Sequence, residues 1–305
     1  MSISKNIALL LLISLFPTVL KAQELGPPEF GAYDAKTVDA IDLTALPLLP
    51  ELTEQARIIF ERGQENGRNP AMFSKVGDSM TASEAFLTGF GDDNYDLSNY
   101  PELQPLVDFI LAGSQSDGTN AFNRQNYAPE LGFSTVIALD PTWAIADACE
   151  ANETPLDCEY RVSNSAFALM MFGTNDVAVL DADSYDYFLR TVVVDTINAD
   201  VVPILYTFPI RADVPEEKSI AFNKIIAQIA SDYDLPLVNL YQALVDLPNF
   251  GVQVDDPLHL TLPDNPEGVF YFNDENLKAG YTIRNLMTLQ TLDRVMRDLK
   301  ILNED

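Results

Sequence analysis

The sequence is poor in histidine and cysteine, the side chains from which most zinc sites are built. Its 305 residues include one histidine, two cysteines and one tryptophan. Zinc sites are built mainly from cysteine and histidine, so one histidine makes such a site improbable. A second kind of metal site, calcium on the acidic loop at residues 92–96, stays open, but its spacing matches no standard calcium loop and favours a solvated loop. The sequence therefore predicts no metal site.

Positive charge is also scarce. The chain carries 18 lysines and arginines against 46 acidic residues, which gives a formal net charge of −28. Proteins that bind nucleic acids or anionic membrane surfaces need basic patches. The charge therefore argues against a nucleic-acid partner, an anionic membrane surface and a polyanionic substrate.

Long apolar runs are absent except at the start of the chain. Lys5, the apolar residues 7–16 and the segment ending at Ala22 are typical of a signal peptide over residues 1–22. The alternative is an uncleaved anchor, although the apolar run is short for a membrane span. We expect a secreted or periplasmic protein with no membrane span in the mature chain, and one domain over residues 23–305. In an exported protein, the closely spaced Cys149 and Cys158 are expected to form a disulfide, with two free thiols or half of a metal site as alternatives.

Alternating apolar runs and helical segments predict an α/β fold. Residues 165–172, 201–208 and 235–240 read as buried parallel strands, and residues 184–198 and 215–233 as the helices between them. A long amphipathic helix is predicted over residues 276–299, and another helix over residues 51–67. Strands that alternate with helices in this way form right-handed βαβ units.

Gly77-Asp78-Ser79 follows an apolar stretch and precedes a segment, residues 82–87, that is predicted to be helical. A serine at such a turn lies at the carboxyl edge of a parallel sheet, where α/β proteins bind their ligands. The helix start offers free N–H groups that suit an oxyanion. Ser79 is therefore a candidate nucleophile. The alternative is that Ser79 is only a helix cap.

The stretch Asp256-Pro257-Leu258-His259 supplies the chain's only histidine. A carboxylate three residues before a histidine can accept the imidazole Nδ1–H and leave Nε2 free to take a proton from a serine. Asp255 is an alternative carboxylate, and an incidental surface histidine is the alternative to catalysis. Asn175, which follows a predicted strand, and the backbone N–H of Gly132 are candidate oxyanion donors. The alternative for Asn175 is a turn residue that satisfies its own backbone.

Residues 149–161, together with residues 173–177, resemble a bacterial secreted subgroup of the SGNH (GDSL-type) hydrolases. The motifs above, in this order, resemble the SGNH family as a whole. The resemblance rests on Gly77-Asp78-Ser79, a central glycine, Gly173-Thr174-Asn175-Asp176 and Asp256-x-x-His259, and covers about residues 70–300. It implies a three-layer α/β/α, flavodoxin-like sandwich with a central parallel sheet. It also implies Ser79 as nucleophile, His259 as base, Asp256 as the orienting acid, and an oxyanion hole from Ser79, Gly132 and Asn175. Four other glycines compete with Gly132 for its role: Gly89, Gly91, Gly113 and Gly118.

We therefore expect a secreted serine esterase that cleaves carboxylic esters through an acyl-enzyme, without a metal or organic cofactor. Its substrate would be a small-molecule or carbohydrate ester. A carbohydrate O-acetyl esterase and an acyltransferase are the alternatives on the same fold. A non-catalytic binding module is a further alternative, and the complete set of Ser79, Asn175, Asp256 and His259 argues against it.

Overall fold

A five-stranded parallel sheet lies at the centre of the computed structural model, which describes residues 30–114 and 118–302. The predicted signal peptide at residues 1–22 lies outside the described residues. The strand order is β2-β1-β3-β4-β5, and every pairing is parallel. The strands are β1 (Asn69–Gly77), β2 (Ala128–Pro129), β3 (Ser165–Met171), β4 (Val202–Tyr206) and β5 (Leu237–Val238).

Helices connect the strands and cover the sheet. The α-helices are α1 (Ala35–Asp39), α2 (Glu54–Glu65), α3 (Ser79–Ala82), α4 (Thr88–Gly91), α5 (Gln104–Ala112), α6 (Thr135–Ala138), α7 (Pro155–Ser163), α8 (Asp176–Val179), α9 (Ala182–Asn198), α10 (Glu216–Asp232), α11 (Leu240–Leu244) and α12 (Gly280–Asp298). Short 3-10 helices cover Leu43–Ala45, Pro101–Leu103, Pro141–Trp143, Pro248–Gly251, Pro266–Phe270 and Asn276–Lys278.

The strand order decides which helices share a face of the sheet. The step from β1 to β2 runs in one direction along the sheet, and the steps from β2 to β3, β4 and β5 run in the other. Because such crossovers are right-handed, α5 lies on one face while α7, α9 and α10 lie on the other. Helix α12 contacts both α5 and β5 and joins the first face. The result is the expected α/β/α arrangement with a central parallel sheet.

The central strands are hydrophobic because both of their faces are covered. Every residue of β3 is buried, as are Met72, Phe73 and Val76 in β1. Such continuous burial is typical of parallel strands between helical layers. Among the described residues, we find no helix with the length and apolar character needed to cross a bilayer. Cys149 and Cys158 form the expected disulfide.

The structure departs from the predicted elements close to Ser79. The helix predicted over residues 82–87 is wrong: α3 ends at Ala82, Ser83 is extended, and Leu87 adopts a left-handed conformation. The Ser83 hydroxyl accepts the Ala85 N–H, so this segment forms a turn in place of a helix. Strand β2 was also not predicted, since it is only two residues long. Helix α7 was not predicted either, although Thr154, Pro155 and Asp157 form the start signal of a helix.

Candidate active site

Ser79 lies on a tight turn that joins β1 to α3. We call residues 77–82, which carry the candidate nucleophile Ser79, the nucleophile turn. Gly77 is required here because a Cβ would come within 2.4 Å of the Met171 carbonyl and 2.5 Å of the Thr81 hydroxyl. The Asp78 carboxylate accepts the Met80 N–H at 3.0 Å and caps α3. Ser79 is thus the first residue of the helix and not its cap, which removes the alternative interpretation of this serine.

A buried arginine on α12 forms hydrogen bonds to the nucleophile turn. Arg284 donates to the Met80 carbonyl and to the Thr81 hydroxyl, each at 2.8 Å, and its guanidinium carbon lies 3.8 Å from the centre of the Phe86 ring. Arg284 is fully buried, and Asp78 is 1% exposed. Burial raises the pKa of Asp78 to about 6, against the lowering effect of the nearby Arg284 charge.

The only histidine, the candidate base His259, lies on a loop at residues 253–261, which we call the base loop. Gln253 donates its N–H to the His259 carbonyl at 2.9 Å, and its side-chain amide donates to the Leu260 carbonyl at 3.0 Å. The Thr261 N–H donates to the Gly251 carbonyl at 2.8 Å. These bonds close the loop on itself, and Leu260 anchors it in the core with no exposed surface.

Three predicted residues meet in one hydrogen-bonded chain. Asp256 Oδ2 lies 2.6 Å from His259 Nδ1, and His259 Nε2 lies 2.9 Å from Ser79 Oγ. Asp256 Oδ1 also accepts the Leu258 N–H at 3.1 Å. Partial burial raises the pKa of Asp256, but the hydrogen bonds from His259 and Leu258 outweigh it, so the pKa lies below its ordinary value. The carboxylate is therefore ionised at neutral pH and can orient the imidazole.

The strand register brings three loops to the same edge of the sheet. Gly77 of β1 pairs with Pro129 of β2 on one side and with Met171 of β3 on the other. Ser79, Gly132 and Asn175 each follow these positions within a few residues. Because the strands are parallel, all three residues leave the sheet at its carboxyl edge.

A hydrogen bond joins Asn175 to the loop that carries Gly132. Its side-chain amide donates to the Phe133 carbonyl at 2.8 Å. An amide nitrogen carries two hydrogens, so one donor remains after this bond is made. The buried Asp176 clamps the same two segments, because its carboxylate accepts the N–H and hydroxyl of Thr135, at 2.9 and 2.6 Å, and the Gly173 N–H at 3.1 Å.

Gly132 differs from Gly89, Gly91 and Gly113 in its surroundings, whereas Gly118 is equally open, with a φ of 87°, but precedes β2 instead of following it. Gly132 is exposed, has a φ of 77°, and a Cβ at this position would meet nothing within 4 Å. Gly113 packs against Ala71 near the start of β1, at the opposite edge of the sheet, and Gly89 packs against Phe270. Gly91 packs against Asn123. Gly132 is thus the candidate that follows β2 beside the nucleophile turn.

Hydrogen-bond donors remain unused at this edge. Within the described residues, the N–H groups of Ser79 and Gly132 have no hydrogen-bond acceptor, and Asn175 keeps one amide hydrogen. Ser79 begins a helix, where N–H groups lack intrahelical partners and positive partial charge accumulates. The edge can therefore accept negative charge on an oxygen next to Ser79.

The side chains of the acidic loop at residues 92–96 accept hydrogen bonds from other residues of the chain. Asp92 accepts the Asn123 amide at 2.9 Å, Asp96 accepts the Ser98 N–H at 2.8 Å, and Asn94 accepts the Tyr271 hydroxyl at 2.9 Å. In the part of the chain that the structure describes, the one cluster of possible metal ligands contains Cys149, Glu153 and Cys158. The two sulfurs of that cluster are joined in the disulfide, so they are not thiolate ligands.

Sequence reasoning did not assign a role to Arg284 or Asp176. Asp176 belongs to the Gly173-Thr174-Asn175-Asp176 motif, so its position beside Asn175 was a usable signal. Arg284 had none, because it lies on an amphipathic helix among other polar residues.

Comparisons with known proteins return matches among solved structures. No protein-family model matches the chain, and no curated protein does. A lipase/acylhydrolase from Enterococcus faecalis is 15% identical, with 77% of this chain and 98% of that chain covered and a TM-score of 0.44. A psychrotrophic esterase from Pseudoalteromonas sp. is 16% identical, with 72% and 98% covered and a TM-score of 0.44. A GDSL-like lipase from Bacteroides thetaiotaomicron is 14% identical, with 79% and 99% covered and a TM-score of 0.41.

Proposed function

We propose that this protein is a serine esterase of the SGNH type, which hydrolyses carboxylic esters through an acyl-enzyme on Ser79. The observation that carries the proposal is the hydrogen-bonded chain from Asp256 through His259 to Ser79, with contacts of 2.6 and 2.9 Å. Distances of this size allow proton transfer between neighbouring groups. A helix start at Ser79 and the neighbouring Asn175 supply the donors that acyl transfer requires.

The reaction follows from these contacts. His259 Nε2 takes the Ser79 proton while Oγ attacks the ester carbonyl, and the ionised Asp256 holds the imidazole with its proton on Nδ1. The resulting imidazolium then protonates the leaving alcohol as the carbon–oxygen bond breaks. Water enters, His259 takes its proton, and attack on the acyl-enzyme releases the carboxylic acid while His259 returns that proton to the leaving Ser79 Oγ. The chemistry needs no group from outside the chain except water.

The oxyanion would be held by the N–H of Ser79, the N–H of Gly132 and the remaining amide hydrogen of Asn175. Asn175→Ala removes one of these donors and also the bond to Phe133. We expect turnover to fall by about 10²- to 10³-fold, as for loss of one oxyanion donor elsewhere. Steady-state kinetics with 4-nitrophenyl acetate measures this. Unchanged turnover would mean that Asn175 serves only as a turn residue.

A fluorophosphonate probe tests the nucleophile directly, because it reacts with activated serine hydroxyls and leaves ordinary ones unmodified. We expect mass spectrometry of the labelled protein to place one adduct on Ser79, with no adduct in Ser79→Ala or after acid denaturation. Failure of the folded protein to react would favour a non-catalytic binding module. A panel of short acyl esters, assayed with and without sugar acceptors, would then separate a hydrolase from an acyltransferase.

Export from the cytoplasm is part of the same proposal. Its support is the Cys149–Cys158 disulfide, since such bonds persist in oxidising compartments. We expect cell fractionation to find the protein in the periplasm or the medium, with a mature N-terminus after residue 22. A cytoplasmic protein that retains Met1 would contradict export without affecting the assignment of Ser79.

A further inference from the structure

Helix α12 is hydrogen-bonded to both the nucleophile turn and the base loop. Ser79 and His259, which these two segments carry, are 180 residues apart in the sequence. Arg284 of α12 donates two hydrogen bonds to the nucleophile turn. One turn earlier, the start of the same helix donates to Thr261 of the base loop. The attachment of the base loop to α12 therefore helps to set where His259 lies relative to Ser79.

Thr261 supplies the acceptors that the start of α12 needs. Its hydroxyl accepts the Gly280 N–H at 2.8 Å, and its carbonyl accepts the Tyr281 N–H at 3.1 Å. The first N–H groups of a helix have no partner within the helix, and Ala279, which precedes α12, has no side-chain oxygen to accept them. Thr261 therefore caps α12, although it lies 19 residues before Gly280.

The same hydroxyl joins the base loop to the segment that precedes it. It donates to the Gly251 carbonyl at 3.1 Å, and the Thr261 N–H donates to the same oxygen at 2.8 Å. A hydroxyl has one hydrogen and two lone pairs, so it can donate to Gly251 and accept from Gly280 at once. The helix and the loop also pack too closely for a side chain at Gly280, where a Cβ would lie 2.4 Å from the Gly251 carbonyl and 3.0 Å from the Leu260 side chain. One hydroxyl thus connects three segments that are in close contact.

The imidazole of His259 depends on the base loop for its position. In the part of the chain that the structure describes, its two ring nitrogens bond only to Asp256 and Ser79. Asp256 belongs to the same loop, and its side chain is 42% exposed, so it does not attach the imidazole to the core. Thr261 is two residues from His259. A shift of the loop at Thr261 would therefore move Asp256 and His259 together and change the 2.9 Å contact between His259 Nε2 and Ser79 Oγ.

We propose that Thr261 is a positioning residue for catalysis, whose hydroxyl sets the distance between His259 Nε2 and Ser79 Oγ by joining the base loop to α12. The inference rests on the proposed function, because it concerns the proton transfer between these two atoms. Such a transfer requires the atoms to lie within hydrogen-bond reach. A displacement of about 1 Å can lower the rate of an enzyme by about 10²-fold. Loss of the Thr261 hydroxyl should therefore lower turnover in a protein that still folds.

The first test is Thr261→Val in the full-length mature protein, which removes the hydroxyl and keeps the shape of the side chain. We expect kcat for 4-nitrophenyl acetate to fall about tenfold or more, with KM within about twofold of wild type, because the change affects proton transfer and not substrate contacts. Thr261→Ser keeps the hydroxyl and should keep most of the wild-type kcat. An unchanged kcat in Thr261→Val, or an equal loss in Thr261→Ser, would overturn the role of the hydroxyl.

Thr53→Val is the matched control, because the Thr53 hydroxyl has the same two roles away from the site. It accepts the Ala56 N–H at 3.2 Å, as the cap of α2, and donates to the Asp234 carbonyl at 2.6 Å. Asp234 precedes β5, so this contact lies at the amino edge of the sheet, opposite to Ser79. Each valine variant loses one helix cap, so the two should unfold at similar urea concentrations, whereas Thr53→Val should keep the wild-type kcat. A similar fall of kcat in both would mean that general destabilisation is the cause and would overturn the inference.

A second measurement does not depend on ester hydrolysis. His259 is the chain's only histidine, so in protein labelled with ¹⁵N-histidine one imidazole reports the contact with Ser79. We expect Thr261→Val to shift the Nε2 resonance in the same direction as Ser79→Ala, which removes that contact, and Thr53→Val to leave it in place. If wild type hydrolyses no ester but the shift appears, the proposed function fails and the positioning of His259 by Thr261 stands. If wild type hydrolyses the ester and Thr261→Val changes neither the resonance nor kcat, the positioning role alone fails.

Discussion

The nucleophile turn and the base loop meet at one hydrogen bond, yet the protein holds them in different ways. Asp78 and Arg284 are buried around the nucleophile turn, and Gly77 has no room for a side chain. In the base loop, the side chain of Asp256 is 42% exposed and that of His259 is 26% exposed. Buried groups contribute to folding as well as to position, whereas exposed ones contribute little to stability. We therefore expect changes behind Ser79 to alter stability and changes in the base loop to alter turnover.

Ser79→Ala removes the contact between the nucleophile turn and the base loop, and it is the strongest test of the difference between them. Under the proposed mechanism, turnover should fall by roughly 10⁶-fold, as for loss of the nucleophile in a serine protease. The free energy of unfolding should change by about 1 kcal/mol or less, because the hydroxyl's one hydrogen-bond partner in the described structure is His259. Ester hydrolysis and urea unfolding measure the two effects. A large loss of stability with activity retained would assign Ser79 a structural role.

The base loop is tested by Asp256→Asn. The amide NH2 can donate to Nδ1, which places the imidazole proton on Nε2, and Nε2 then cannot take the Ser79 proton. We expect turnover to fall by about 10⁴-fold with the melting temperature nearly unchanged.

Asp255→Asn is the matched control for this change, since Asp255 is exposed and its carboxylate has no hydrogen bond within the described residues. Activity should stay close to wild type. If Asp255→Asn is the damaging change, the orienting carboxylate is misassigned by one position. If neither change matters, His259 works without a carboxylate.

The two regions also differ in how far sequence alone could describe them. Asp256 and His259 are three residues apart, and a turn of that length can close by itself, so a local pattern was informative. Arg284 acts on Met80 and Thr81 across more than two hundred residues, and helical periodicity does not encode such a contact. The parallel strands were predictable from their apolar runs, except for β2. Strand β2 has two residues and ends at a proline, so it is too short to show a periodic apolar pattern. It is a strand only because it pairs with Val76 and Gly77 of β1.

Arg284→Met tests how much the buried Arg284 contributes to the stability of the nucleophile turn. The change leaves the Met80 carbonyl and the Thr81 hydroxyl without their donor and the Asp78 charge without a nearby cation. We expect a loss of about 3–5 kcal/mol in the free energy of unfolding, measured in urea. Arg57→Met is the control, because Arg57 is on the surface and donates to the Asp298 carbonyl at 3.2 Å. An equally small effect of both changes would contradict the difference between the two regions.

The smallest expected effect is a pH dependence of stability that arises from Asp78. Burial raises its pKa from an ordinary value of 3.8 to about 6, although the Arg284 charge opposes the rise. The folded state therefore holds this proton more tightly than the unfolded state. By linkage, the contribution of Asp78 to stability falls as pH rises from about 4 to about 6 and stays low above that.

Asp78→Asn removes this titration while its side-chain oxygen can still accept the Met80 N–H. At pH 4 the variant and wild type should unfold at similar urea concentrations. At pH 8 the variant should be more stable by about 1 kcal/mol or more, because wild type must then keep a buried charge. The difference between the two proteins cancels the titration of the other carboxylates, including the buried Asp176. A variant that is less stable than wild type at pH 8 would mean that attraction between Asp78 and Arg284 exceeds the cost of burial, and the nucleophile turn would then be held by that ion pair.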